Sequence, residues 1–157
     1  MARRRTAGKK QEVRDARYDS PLVGKIISKV MKDGKRSLAE RIVYKAIDEA
    51  NKGTETIDPL EIITRAIENA KPRVEVKSRR VGGATYQVPL EVAADRSESL
   101  AMRWLVTFAR NKKGTPMHKA LSNEIKDAAN NQGGAVRKRD DMHKMAQANR
   151  AFAHFRW

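Results

Sequence analysis

The sequence predicts a mainly α protein: a six-helix, bundle-like single domain, one β-hairpin protruding between the third and fourth helices, and a basic N-terminal arm that is disordered on its own. Three observations lead there. Apolar residues recur with a helical period in six segments, the period switches to two around Gly82-Gly83, and the first 17 residues offer almost nothing to bury. A length of 157 residues suits one domain around one core.

The arm, residues 1–17, holds seven basic residues against two acidic ones, so it orders only against an anionic surface. The domain, residues 18–157, opens at Ser20, an N-cap residue followed by Pro21 at the first helical position. Leu22, Val23, Ile26, Ile27, Val30 and Met31 form the first apolar stripe, which Asp33-Gly34 ends. The second helix carries Leu38, Ile42, Val43, Ala46, Ile47 and Ala50 inward. Ser37 and Glu40 have capping-box spacing at its start, and Gly53 stops it. The third begins at Asp58-Pro59, buries Leu60, Ile63, Ala66, Ile67 and Ala70, and ends at Lys71-Pro72. Short connections make the three antiparallel neighbours.

Between about residues 73 and 91, Val74 and Val76 alternate with charges, as Tyr86, Val88 and Leu90 alternate with Thr85, Gln87 and Pro89. A two-residue Gly82-Gly83 turn would set Val76 opposite Pro89. A three-residue Val81-Gly82-Gly83 loop would align Val74 with Leu90 and Val76 with Val88, so the one-sided apolar face favours the longer loop. Leu100, Ala101, Trp104, Leu105 and Phe108 mark the fourth helix. Thr115-Pro116 opens the fifth, with Met117, Leu121, Ile125 and Ala128 inward. Gly133-Gly134 breaks the chain before a last helix from about Ala135, with Met142, Met145, Ala146, Asn149 and Phe152 along one side.

Charge narrows the function. Thirty-four Lys and Arg against 19 Asp and Glu leave a formal net charge of +15, a self-repulsion that a polyanionic partner relieves by shedding its counterions. Nucleic acid is the first reading and an anionic membrane the second. With no cysteine, disulfides and zinc fingers are excluded. No apolar run is long enough to span a bilayer, and MARRRTAGKK is not followed by the apolar stretch of a secretory signal, so a cytoplasmic location is expected.

The cations cluster. Lys71, Arg73, Lys77, Arg79 and Arg80 line the hairpin against Glu75 alone, and the glycine tip lets backbone approach sugar-phosphate closely. Lys35-Arg36 follow Gly34 at a helix junction. Arg96, Arg103 and Arg110 recur every seventh residue along one line of a helix, which Lys112 and Lys113 extend. Arg137, Lys138 and Arg139 open the last helix, where cations oppose the macrodipole and favour an external anion. Rings make up only 5% of the chain; Trp104 and Phe108 read as core, leaving Tyr86, Phe155 and Trp157 for stacking. Recognition therefore rests on phosphates, 2′-hydroxyls and RNA shape. His143, one turn after Asp140, is a weak metal-nuclease pattern without any supporting catalytic motif. No enzyme, metal site or cofactor is expected, and a histone-like DNA-bending protein is the runner-up.

Several motifs carry a family resemblance. Ile26-Ile27, Gly34-Lys35-Arg36, Ile42-Val43 and Ala46 resemble the signature of the S-seven family of small-subunit ribosomal proteins. The stretch Arg79-Arg80-Val81-Gly82-Gly83-Ala84 and the ending Met142-His143-Lys144-Met145-Ala146 through Ala151-Phe152-Ala153-His154 are similar to its bacterial members, while Phe155 stands where a tyrosine is common. The resemblance implies direct binding to the 3′ major domain of 16S ribosomal RNA and nucleation of the 30S head. It also implies a place at the subunit interface near the decoding centre, beside E-site transfer RNA and messenger RNA, in contact with small-subunit proteins nine and eleven. Some members repress their own operon. On this analogy the ribosomal RNA is held by Arg3, Arg4, Arg5, Lys9 and Lys10 of the arm, and by Lys25, Lys35, Arg36, Lys71, Arg73, Lys77, Arg96, Arg103, Arg110, Lys112, Lys113, Arg137, Lys138 and Arg139 of the body. Arg79, Arg80, Gly82, Gly83, Ala84 and Tyr86 lie nearest transfer RNA and messenger.

Overall fold

A computed structural model describes residues 14–52 and 58–155. The expectations for the arm as far as residue 13, for Gly53 and for Trp157 fall outside these residues. Within them the order is α1 (Pro21–Val30), α2 (Arg36–Asn51), α3 (Glu61–Ala70), β1 (Val74–Val81), β2 (Ala84–Glu91), α4 (Ala94–Asn111), α5 (Met117–Ala129), α6 (Gly133–Ala148) and a terminal 3-10 helix, Arg150–Phe155. The architecture is the expected one: six α-helices among the described residues, with the hairpin between α3 and α4.

The folded body begins before residue 18. The Asp15 carboxylate is buried and accepts the N–H groups of Arg17, Tyr18 and Ser20 at 2.8–3.1 Å. Burial alone would raise its pKa, but these bonds outweigh that and hold it below the ordinary carboxylate value. The Arg17 guanidinium grips Asp48 of α2 through two hydrogen bonds and lies 5.1 Å from the Tyr18 ring and 5.5 Å from the Tyr44 ring. Residues 15–17, assigned to the arm on composition, are thus already fixed to the helices.

α5 runs through the middle, packed against α2, α3, α4 and α6. Its neighbours offer small side chains: Ala46 and Ala50, Ala66 and Ala70, Ala101 and Ala109 are all buried, which lets the helices approach closely. Ile27, Ile47, Ile63, Ile67, Met102 and Leu121 fill the remaining space. Trp104 is buried and Phe108 packs on the core, as expected.

Three expected core residues are exposed instead: Met31 (36%), Leu38 (45%) and Met145 (47%). Met31 lies past the end of α1 as its C-cap, and Leu38 sits in the first turn of α2 while Ala39 takes the inward position. α6 buries only Ala135, Val136 and Ala146, so the expected stripe is interrupted at Met145. Phe152 belongs to the 3-10 segment rather than to α6.

Helix ends are closed by groups from neighbouring elements more than by their own sequence. Ser20 caps α1 as expected, its hydroxyl accepting the Val23 N–H. The Ser37–Glu40 capping box does not form, because α2 starts at Arg36, two residues before a Ser37 cap would allow, and Glu40 pairs with Arg36 at 2.8 Å. At α3, the Asp58 carboxylate accepts the Leu60 N–H just ahead of the helix. Arg110 donates to the carbonyls of Lys29 and Val30 at the end of α1, and Asn69 donates to those of Ala128 and Ala129 at the end of α5. The start of α6 is held by Glu124, only 1% exposed, whose carboxylate accepts the Ala135 N–H at 3.0 Å and lies 3.2 Å from the Lys112 ammonium. The helix begins at Gly133 and not after the glycine pair. Gly133 has φ +90°, where its missing side chain leaves room for Glu124, and Gly134 lies so close to the Phe108 ring that a Cβ would overlap it at 2.6 Å.

The hairpin register differs from the expectation. Val76 pairs with Pro89, Lys77 with Val88 and Val81 with Ala84 around a two-residue turn. Gly82 (φ +56°) and Gly83 (φ +90°) both adopt left-handed backbone, which selects the tight turn whose twist matches the strands. The alignment of Val74 with Leu90 and of Val76 with Val88 therefore does not form. Glu75 now shares a face with Val88 and is buried with it. An ion pair offsets that cost: Arg96 of α4 makes a bidentate contact to Glu75 at 2.8–3.0 Å, and Lys77 adds another at 3.1 Å. Arg96 first, then Lys77, holds the Glu75 carboxyl below its ordinary pKa.

Two contacts tie the hairpin to α6 and to the chain beyond it. At the root, the Arg73 N–H donates to His143 Nε2 at 3.0 Å. Farther out, Tyr86 packs against Phe152 and Phe155 with ring centroids 5.2 and 5.0 Å apart.

Two outcomes follow. Glu124→Ala removes the acceptor for the Ala135 N–H and should lower stability to urea by about 1–3 kcal/mol. Glu124→Gln, which keeps an oxygen there, should cost less; equal losses would show that the cap is unimportant. His143 has a pKa lowered by burial and then by Arg139, below the free imidazole value near 6.5. Its contribution is present above that value and lost as pH falls through the depressed folded pKa. The melting temperature should therefore decline on the acid side, and His143→Gln should flatten that decline. An unchanged slope would exclude His143 as its source.

Candidate nucleic-acid interface

The basic side chains fall into groups by what they touch. Some are engaged inside the chain. Arg139 reaches from α6 to Asp140, to the Asn69 carbonyl and to Asn131, stitching α6 to the end of α3. Arg110 caps α1, and Lys112 is the counterion of Glu124 with Asp127 3.8 Å away. Arg96 is clamped on Glu75, which raises the guanidinium pKa and keeps it charged, yet half of its side chain still faces solvent. The seven-residue stripe on α4 is real, but its two ends, Arg96 and Arg110, hold the hairpin and α1.

Others are paired on the surface, where such contacts are weak and an incoming phosphate competes with them. Lys25 faces Glu98 at 2.8 Å, Arg36 faces Glu40 and Lys71 faces Glu68, whereas Lys77 has an exposed side chain but pairs with the buried Glu75.

The remaining expected cations are exposed, with no ion pair among the described residues: Lys35 at the α1–α2 junction, Arg73 at the hairpin root, Arg80 near the tip, Arg103 in the middle of α4, Lys113 after it, and Arg137 and Lys138 near the start of α6. Arg79 is half-buried opposite Tyr86, and Gly82, Gly83 and Ala84 form the open tip. Arg3, Arg4, Arg5, Lys9 and Lys10 lie outside the described residues. A cleft of about 370 Å³ under the hairpin root brings together Lys71, Arg73 and Arg139 from the end of α3, the hairpin and α6, together with Glu68, Asp140 and His143.

Composition did not single out Lys32, which stands beside Lys35 because Asp33 (φ +54°) and Gly34 (φ +73°) fold the intervening chain back. Nor did it find the aromatic cluster: Tyr86, read as a stacking platform, uses its ring on Phe152 and Phe155. The spacing of Tyr86 from Phe152 carried no signal, because 66 residues of chain separate them.

The metal-nuclease pattern finds no support in the geometry. His143 Nε2, one of its two possible ligand atoms, is taken up in accepting the Arg73 N–H. Among the described residues no group of three His, Cys, Asp or Glu is placed to hold a metal ion, and no helix is long and apolar enough to cross a membrane.

Comparison with known proteins agrees with this geometry. A family model described as ribosomal protein S7p/S5e matches residues 2–150. The small ribosomal subunit protein uS7 of Akkermansia muciniphila is 81% identical over 157 residues, covering all of both chains. The proteins of the same name from Thermobifida fusca and Rhodococcus erythropolis are 55% and 53% identical, again over the full length of both. A helical body with outward cations, a basic hairpin braced on its last helix, and end-to-end similarity to these proteins lead to one conclusion: the chain belongs to the S7p/S5e family of ribosomal proteins, as a structural constituent of the small ribosomal subunit and not an enzyme.

Proposed function

We propose that the chain binds the 3′ major domain of 16S ribosomal RNA directly and nucleates assembly of the head of the 30S subunit. In this reading the hairpin points toward E-site transfer RNA and messenger RNA at the subunit interface, near the decoding centre, with small-subunit proteins nine and eleven as neighbours. One observation carries the RNA-binding part: exposed cations stand on braced helices and a braced hairpin, while most of the large rings are turned inward. Such a surface suits folded RNA, read through phosphates and 2′-hydroxyls, better than single strands read by stacking.

The roles divide by location. Lys35, Arg36, Arg103, Lys113, Arg137 and Lys138 act on ribosomal RNA from the body, joined by the arm cations. Arg137 and Lys138 stand exposed near the start of α6, so a phosphate there gains from both side chains. Arg79, Arg80 and the Gly82-Gly83-Ala84 tip serve the transfer-RNA side.

Binding to a transcript of the 3′ major domain tests this reading. Affinity should fall steeply with salt, and Arg137→Ala with Lys138→Ala should reduce the salt slope by about one for each phosphate no longer neutralised. Arg79→Ala with Arg80→Ala should spare most of that affinity while weakening E-site transfer RNA binding to reconstituted subunits. Equal loss in both assays would overturn the division of roles, and equal affinity for duplex DNA would overturn the RNA reading itself.

A further inference from the structure

At the junction of α1, α2 and α5 lies a groove of about 280 Å³. Val30, Leu38, Ala39, Ile42 and Met117 line it with apolar surface. Leu38, one of these residues, is 45% exposed. A single exposed leucine needs no explanation, but here the wetted apolar surface is concave and ringed by charge. Lys32, Lys35 and Arg110 stand on the rim against one acid, Asp33.

We propose that this groove receives one unstacked nucleobase of the bound RNA, with Lys32 and Lys35 on the phosphates that flank it. The inference rests on the RNA-binding reading above and names a subsite of it. Size argues for a single ring, since the groove lies just below the roughly 300–1,000 Å³ range of pockets that enclose a whole small ligand. Charge argues for a nucleotide, because an apolar peptide gains nothing from two lysines without an ion pair among the described residues.

Backbone geometry brings the rim together. Two consecutive left-handed residues, Asp33 and Gly34, turn the chain so that Lys32 and Lys35 border the same groove. Aspartate and glycine are among the residues that tolerate this conformation best. Arg110 is fixed by the carbonyls of Lys29 and Val30, which hold its guanidinium at the edge. A planar guanidinium is a surface on which a splayed base stacks, and aliphatic side chains cover the rest of the ring. Among the described residues the wall is aliphatic rather than aromatic, so the base would meet methyl and methylene groups and the Arg110 plane.

The test uses the full chain and the 3′ major domain transcript. Leu38→Ala should weaken binding about tenfold without changing the salt slope, because it removes apolar contact and leaves every phosphate neutralised. Lys35→Ala should lower the slope by about one. In chemical probing of the transcript, a base protected by the wild-type chain should become reactive in the complex with Leu38→Asp, while the rest of the footprint persists. Leu38 is exposed, so both variants should keep the wild-type melting temperature, which is measured alongside.

Wild-type affinity together with an unchanged footprint in the Leu38 variants would overturn the subsite while leaving RNA binding intact. Failure of the wild-type chain to bind the transcript would overturn both. A photo-crosslinker at position 38 that reacts with another ribosomal protein, or with residues 1–13 of this chain, would also exclude a base as occupant.

Discussion

The structure turns on one buried carboxylate. Glu124, in the middle helix of the bundle, neutralises Lys112 and accepts the N–H of Ala135, so a single side chain fixes both the end of α4 and the beginning of α6. A carboxylate this deep is tolerated only with its partners in place. α6 then carries the consequences outward: Arg139 binds the end of α3, His143 holds the hairpin root, and the 3-10 helix that follows packs Phe152 and Phe155 onto Tyr86. The hairpin, which buries too little to stand alone, inherits its position from that chain of contacts.

A second buried carboxylate shows the same logic at the hairpin itself. Two glycines with positive φ dictate a tight turn, and the tight turn dictates a register that places Glu75 inward beside Val88. Backbone geometry prevails because a β-turn of the wrong hand would splay the strands along their whole length, whereas one buried acid can be offset locally. Arg96 supplies that offset. A cation that composition assigns to RNA thereby becomes a support for the element closest to transfer RNA in the proposed reading, with half of its side chain still available at the surface.

A strongly basic protein must solve two problems with the same residues. Inside the bundle, Arg110, Arg139 and Lys112 satisfy helix ends and buried acids. Outside, Lys35, Arg103, Lys113, Arg137 and Lys138 remain exposed. In the proposed reading these outer charges would arrive at RNA on a braced scaffold, so less side-chain and backbone freedom would be lost on binding. The groove by Leu38, as proposed, would add an apolar component to an interface otherwise built on charge.

Local pattern alone was enough for the helical class, the six helices, the hairpin between the third and fourth, the Ser20-Pro21 start and most of the core, because each depends on residues within a few positions of one another. It was also enough for the polyanionic partner, since net charge needs no fold. The capping box at Ser37, the inward placement of Leu38 and Met145, and the hairpin register were misjudged, and Arg17, Lys32 and the rings at Phe152 and Phe155 went unnoticed in their roles. Several of these are decided by a partner far away in sequence: Asp48 for Arg17, Arg96 for Glu75, Tyr86 for the terminal rings. Tertiary structure alone determines which cations are consumed in holding the body together and which face solvent. An arginine looks the same in sequence whether its guanidinium meets a carbonyl of its own chain or the phosphate of another.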